Sequence, residues 1–205
     1  MNKKILILDT ETTGLPADMK APYTDVDNWP HMLSVAWGIF DENGTLLRKA
    51  NYIVAPRIGV SNSPEAMAVN NITPAYQKEH GSECWQIVNS LRVAMDTADV
   101  IVAHNVAFDK NIIGAEFARL KMQMPDRHWF CTKEDIGNLL NLPPTPAQKK
   151  YRPEITYKQP RLDELYQFLF NTPIPGREEY HGAEQDAAAC AACFWELKKR
   201  GKIKI

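Results

Sequence analysis

Five side chains in this sequence are of the types that hold metal ions and move protons: Asp9, Glu11, Asp109, His181 and Asp186. Asp9 and Glu11 belong to the string Asp9-Thr10-Glu11-Thr12-Thr13-Gly14, which directly follows the apolar run Ile5-Leu6-Ile7-Leu8. A continuous apolar run bounded this way reads as a central strand buried on both faces. Residues two apart on a strand share a face, so the two carboxylates project together. Side by side they repel, and burial adds to the cost of keeping both ionised. A divalent cation removes that conflict. A bare Asp-x-Glu is also an ordinary strand-end turn, but five fixed positions in this order recur by chance on the order of once in a million starts.

Asp109 follows His104-Asn105-Val106-Ala107-Phe108 and falls in the first turn of a helix expected over 107–120. At ~100° per residue it shares the core-facing stripe with Ile113, Phe117 and Leu120. An Asp there also serves as a partner of the helix dipole. Glu116 lies on the same stripe, so the stripe is not purely apolar. His181 precedes Asp186 by five residues in His181-Gly182-Ala183-Glu184-Gln185-Asp186. Asp186 opens a helix expected over 184–199, whose alanines let it pack close to a sheet and turn Asp186 toward the Asp9/Glu11 strand.

The remaining elements must bring these groups together. Strands are expected at 33–40 and 46–54, joined by a turn at Asp41-Glu42-Asn43-Gly44. Cys84, Val88, Leu91 and Met95 recur at helical spacing. A strand is expected at 99–103 and another at Trp129-Phe130-Cys131, followed by a helix over about 132–141. Residues 17–30 are polar and turn-rich and read as a loop. The stretch 143–160 holds five prolines (Pro143, Pro144, Pro146, Pro153, Pro160), so it too reads as a long loop. It carries Lys149, Lys150, Arg152 and Lys158 against Glu154, interleaved with Tyr151 and Tyr157, a composition suited to a single strand of nucleic acid. A helix over 162–170 precedes the last one. Three strands, then helix, strand, helix, strand and helices give an α/β domain on a mixed five-stranded sheet flanked by helices. Residues 1–205 read as one domain with loop insertions near 17–30 and 143–160.

Composition narrows the classes. The chain has 205 residues, 44% of them hydrophobic and 24% charged, so it can bury a core without staples. No apolar run approaches the ~20 residues needed to span a bilayer. Met1-Asn2-Lys3-Lys4 leads into only four apolar residues, too few for a secretory signal, and Cys84, Cys131, Cys190 and Cys193 read as reduced thiols. The expected setting is cytoplasmic, with no membrane contact. Cys190 and Cys193 lack a second ligand pair for zinc and read as core packing. A net charge of −1 excludes a protein that coats nucleic acid by bulk charge, though not an enzyme that grips one strand end through metal.

Taken together, the motifs resemble those of the DEDDh family of 3'-to-5' exonucleases, which are DnaQ-like and include polymerase proofreading subunits and ribonuclease T. The first is Asp9-x-Glu11-Thr12-Thr13-Gly14, the second His104-Asn105-x-x-Phe108-Asp109, and the third His181-x4-Asp186. They occur in the family's order and span residues 9 to 186. The resemblance implies a ribonuclease H-like fold and hydrolysis of phosphodiester bonds from the 3' end, releasing nucleoside 5'-monophosphates. It implies two Mg²⁺ ions, with Mn²⁺ as a substitute, held by Asp9, Glu11, Asp109 and Asp186. Asp9 takes the bridging position, Glu11 and Asp186 hold the water-activating ion, Asp109 holds the second through water, and neutral His181 is the general base. Thr12, Leu15 and Asn70 are expected to touch substrate, Leu15 as an apolar wedge at the terminal base. The expected partner is a single-stranded or frayed 3' end of DNA or RNA, DNA favoured; association with a polymerase stays open. Two departures concern substrate contacts: Asn70-Asn71-Ile72-Thr73 replaces a frequent His-Gly-Ile-Thr, and Ser34 replaces a frequent acidic or amide residue. A catalytically silent binding module and a ribonuclease H-like endonuclease are the rival readings.

Overall fold

A computed structural model describes residues 3–177 and 182–205. The chain runs β1 (Ile5–Thr12), β2 (Met32–Phe40), β3 (Leu46–Val54), α1 (Pro64–Asn70), α2 (Pro74–His80), β4 (Gly81–Ser82) and α3 (Cys84–Thr97). It continues β5 (Val100–Ala103), α4 (Val106–Arg119), β6 (His128–Cys131), α5 (Pro146–Tyr151), α6 (Leu162–Phe170) and α7 (Ala183–Lys199). The strands form one sheet in the order β4-β3-β2-β1-β5-β6. β1 is central: it pairs antiparallel with β2 and parallel with β5.

The strand's period of two divides its side chains between two cores. Leu6 and Leu8 face one cluster with Ile87, Val88 and Leu91 of α3 and Ile112 and Ile113 of α4. Ile5 and Ile7 face the other, with Leu165 and Leu169 of α6 and Cys190, Phe194 and Leu197 of α7. Asp9 and Glu11 continue the Ile5/Ile7 face beyond the apolar run. They therefore point toward α7, which packs through small contacts, Ala183 and Ala187 against Ala36 of β2.

The sheet has six strands among the described residues rather than five, because the two-residue β4 adds to the β3 edge. No element was expected between β3 and α3, yet α1 and α2 form there. Each starts on a hydroxyl cap followed by proline: Ser63 Oγ accepts from Ala66 N, and Thr73 Oγ1 from Tyr76 N. The helix expected over 132–141 is instead a run of turns. Asp135 caps it early by accepting from Cys131 N, and Gly137 takes a left-handed φ of 60°. The 143–160 stretch is also not helix-free, for α5 sits between its prolines. Pro146 occupies the first helical position, where proline costs no hydrogen bond, and Thr145 and Gln148 cap each other reciprocally.

The 17–30 loop is fastened from below. Arg119 donates to the carbonyls of Val26 and Trp29, and the buried Trp29 ring donates to Pro22 O. Glu116, the acid on the helical stripe, anchors this corner: it pairs with Arg57 and Arg119 and accepts from Met32 N. All four cysteines are free and buried. Among the described residues, no helix is long and apolar enough to cross a membrane.

Candidate active site

The carboxylates that sequence spacing singles out converge. One oxygen each from Asp9, Glu11 and Asp186 lie within 4.8 Å of one another. Asp9 and Glu11 reach this point from β1, Asp186 from the first turn of α7. The β1–β2 register shifts between Glu11 and Thr12, so the strand breaks step just past the second carboxylate. Asp109 arrives from α4 and is only 2% exposed. Its Oδ1 accepts from Thr10 N at 3.0 Å and from Thr10 Oγ1 at 2.8 Å, which ties α4 to the strand residue between Asp9 and Glu11. His181 lies outside the described residues.

The electrostatics are those of an unneutralised cluster. Burial, followed by repulsion from Asp109, Asp186 and Glu11, holds the Asp9 carboxyl well above its usual range. Burial, followed by repulsion from Asp186 and Asp109, pushes Glu11 up to about 8. Burial raises Asp109 to about 7 although the Thr10 bonds pull it down. Arg177 provides countercharge, with Nη2 3.0 Å from Asp186 Oδ2, and it lowers both Asp9 and Glu11. The donors are all carboxylate oxygens, crowded and desolvated, a set that suits a hard divalent cation.

Thr12, Asn70 and Leu15 fare differently. Thr12 is buried and its hydroxyl donates to Gly14 O at 2.7 Å. Asn70 is buried too; its amide donates to Thr12 O, accepts from Ile72 N, and contacts Glu11 in the sense that favours the ionised form. Both brace the strand that carries Glu11. Leu15 is 85% exposed, which excludes an ordinary buried loop residue there.

Open space lies on both sides of β1. On the β2 side a cleft of about 450 Å³ is lined by Ser34, Asn51, Asn70, Tyr76 and Glu184. On the β5 side a larger cleft of about 890 Å³ runs from Asp9 and Asp186 past His104 and Lys133 to Tyr157 and Pro160. The 143–160 segment is its far wall, and His104 holds that wall in place. His104 Nε2 stands 3.2 Å from Pro160 O, which can only accept, so this nitrogen carries the proton and Nδ1 accepts from Thr132 Oγ1 at 3.0 Å. Burial keeps the ring neutral, with its pKa pushed down to about 4. Sequence reasoning noted His104 as part of a motif without this role, and missed Arg177 and Lys133. Arg177 follows Pro173-Ile174-Pro175-Gly176, where no periodicity points to a site.

Comparison with known proteins agrees with this geometry. Residues 6–194 match the model of the RNase T family, described as exonuclease. Ribonuclease T of Shewanella sp. (strain ANA-3) is 27% identical over 139 residues, 62% of this chain and 58% of that protein. Among solved structures, the zinc-bound form of an E. coli exonuclease I–single-stranded DNA complex superposes with a TM-score of 0.70 at 18% identity. That match covers 97% of this chain and 41% of the other. A product-bound structure of exonuclease I gives a TM-score of 0.71 at 16% identity, covering 97% of this chain and 44% of that one. This chain thus spans less than half the length of those exonuclease I chains, and its fold is theirs. With a family match over most of its length, the chain belongs to the RNase T family of exonucleases.

Proposed function

We propose that this protein is a 3'-to-5' exonuclease that removes nucleoside 5'-monophosphates from the free 3' end of a single strand, with DNA favoured over RNA. The observation that supports it best is the meeting of Asp9, Glu11 and Asp186 within 4.8 Å at the floor of a cleft. Asp9, Glu11 and Asp186 would hold one Mg²⁺ and Asp9 with Asp109 a second, Mn²⁺ substituting for either. Bound there, the ions supply the positive charge that stabilises the attacking and leaving oxygens of an in-line displacement.

The chain's own residues do the rest. Thr10 fixes Asp109, Asn70 and Thr12 hold Glu11, and Arg177 limits the repulsion around Asp186. Neutral His181 takes the proton of the attacking water. Leu15, exposed one residue past Gly14, meets the terminal base. Residues 1–205 work as one catalytic unit in this reading.

A time course on end-labelled DNA and RNA oligomers, with Mg²⁺ or Mn²⁺, tests it. The expected pattern is a ladder shortening from the 3' end with mononucleotides released from the start, and no cutting of a covalently closed single-stranded circle. Cleavage of the circle would replace the reading with an endonuclease. Binding without turnover under all metal conditions would replace it with a silent binding module.

A further inference from the structure

The larger cleft separates the basic residues of this region into two kinds. Those of the 143–160 segment and its flank are engaged with their own chain. Lys149 Nζ donates to the carbonyls of Pro153 and Ile155. Lys158 pairs with Glu164, Arg152 with Glu154, and Arg161 with Asp163. Lys150 lies over the ring of Tyr151, itself 79% exposed and outside the cleft lining. Lys133 differs. It follows β6 on the cleft floor beside His104, and its Nζ meets a neutral group, Asn105 Oδ1, at 3.0 Å. It is the cleft cation to which no carboxylate partner falls within ion-pair distance among the described residues. Tyr157 lines the same cleft from the 143–160 segment, half-buried, and its side chain makes no hydrogen bond or ring contact among the described residues. The wall that presents Tyr157 is held three residues on, where Pro160 O meets His104.

A cation without a paired carboxylate and an aromatic ring without a partner, both lining a cleft that also holds Asp9 and Asp186, make a specific pair of demands on a ligand. It must carry negative charge at intervals and flat rings between. A single-stranded nucleic acid does both: bases stack on aromatic faces and lysines neutralise phosphates. A cleft of about 890 Å³ holds a few nucleotides at most, as the approach to the end being cut. We propose that this cleft receives the strand leading to the scissile bond, with Lys133 neutralising a backbone phosphate and Tyr157 stacking against a base. This rests on the exonuclease reading above and adds to it which face of β1 the uncut strand occupies.

The test is equilibrium binding of fluorescent 12-mers of deoxythymidine and of uridine to the intact protein with Ca²⁺, repeated from 50 to 300 mM salt. Turnover on the same 12-mers with Mg²⁺ is measured in parallel. Tyr157→Ala is expected to weaken binding about 5- to 100-fold, as loss of one stacking platform does, and Tyr157→Phe to restore it. Lys133→Gln is expected to flatten the salt slope by about 0.7, and Lys133→Arg to restore it. Lys150→Ala should change neither. The two oligomers report whether DNA or RNA is the better occupant, and the proposal holds with either. Wild-type turnover together with unchanged binding and salt slope in Tyr157→Ala and Lys133→Gln would overturn the strand path and leave the exonuclease reading standing. A wild-type protein that neither binds nor cuts would overturn both.

Discussion

Thr10 and Asp109 are joined twice, backbone N–H and hydroxyl both donating to the one Oδ1 at 3.0 and 2.8 Å. Thr10 is the residue between Asp9 and Glu11, so one side chain sets the spacing between a strand and a helix that each supply carboxylates. In the proposed reaction, Asp109 would hold a cation through its other oxygen. Partners of metal ligands typically contribute 10- to 100-fold in affinity or activity. Thr10→Val keeps the shape and removes the hydroxyl. It is expected to raise the Mg²⁺ concentration for half-maximal activity about 10-fold, with near wild-type rate at saturating metal, read from a metal titration.

The carboxylate cluster predicts how the metal-free protein responds to pH. Glu11 rises to about 8 from an ordinary value of 4.5, and Asp109 to about 7 from 3.8. Groups raised in the folded state favour folding fully below their unfolded values and lose that contribution as pH climbs through the folded ones. In EDTA, these groups therefore lower the melting temperature between about pH 4 and pH 8, and Mg²⁺ should restore it most at the upper end. Asp9→Ala should flatten the EDTA curve, hold or raise the melting temperature at pH 8, and abolish hydrolysis. Mg²⁺-dependent turnover in that variant would contradict the assignment of Asp9 as a ligand.

His181→Asn tests the base. The expected loss is ~10²–10⁴-fold in rate. For wild type, the rate should climb with pH through the imidazole titration and then level. A near wild-type rate in the variant would mean that the water loses its proton without this residue.

Glu116 is 1% exposed and paired with Arg57 and Arg119; against the cost of burial, the neighbouring His31 ring, the Arg57 guanidinium and Met32 N–H keep its carboxyl far below the usual range. Removing one partner of a buried ion pair costs about 3–5 kcal/mol. Glu116→Gln is expected to destabilise the fold by about that much in urea unfolding. The depressed value means the contribution is present above about pH 4.5 and disappears as pH falls further, so variant and wild type should converge in acid. Activity per folded molecule should stay within a few-fold, because Glu116 does not belong to the carboxylate cluster.

What could be read from sequence followed from burial. The run Ile5 to Leu8 admits one interpretation, a strand covered on both sides, and Asp9 and Glu11 inherit their common face from it. The stripe through Asp109, Ile113 and Phe117 placed α4, and the alanines placed α7. The short helices escaped because their evidence is not periodic. Ser63-Pro64, Thr73-Pro74 and Thr145-Pro146 are three instances of a hydroxyl cap before a first-position proline. Reading prolines only as breakers hides that signal. Thr132 to Asn141 failed oppositely: a helix was expected there, and a left-handed Gly137 with a capping Asp135 makes it a run of turns. The partners of the basic residues in 143–160 were not legible, since Glu154, Glu164 and two carbonyls meet them only through folding.

Placing Asp9 and Glu11 on the innermost strand has a consequence for motion. β1 hydrogen-bonds on both edges and packs on both faces, so its amides open to exchange only when the whole domain unfolds. The 143–160 segment rests on a few local bonds, and its proton-exchange protection should be orders of magnitude lower. The floor and the far wall of one cleft thus belong to opposite ends of the molecule's stability range. A local opening that leaves the carboxylate geometry untouched is therefore open to the wall, up to its anchor at Pro160, and not to the floor.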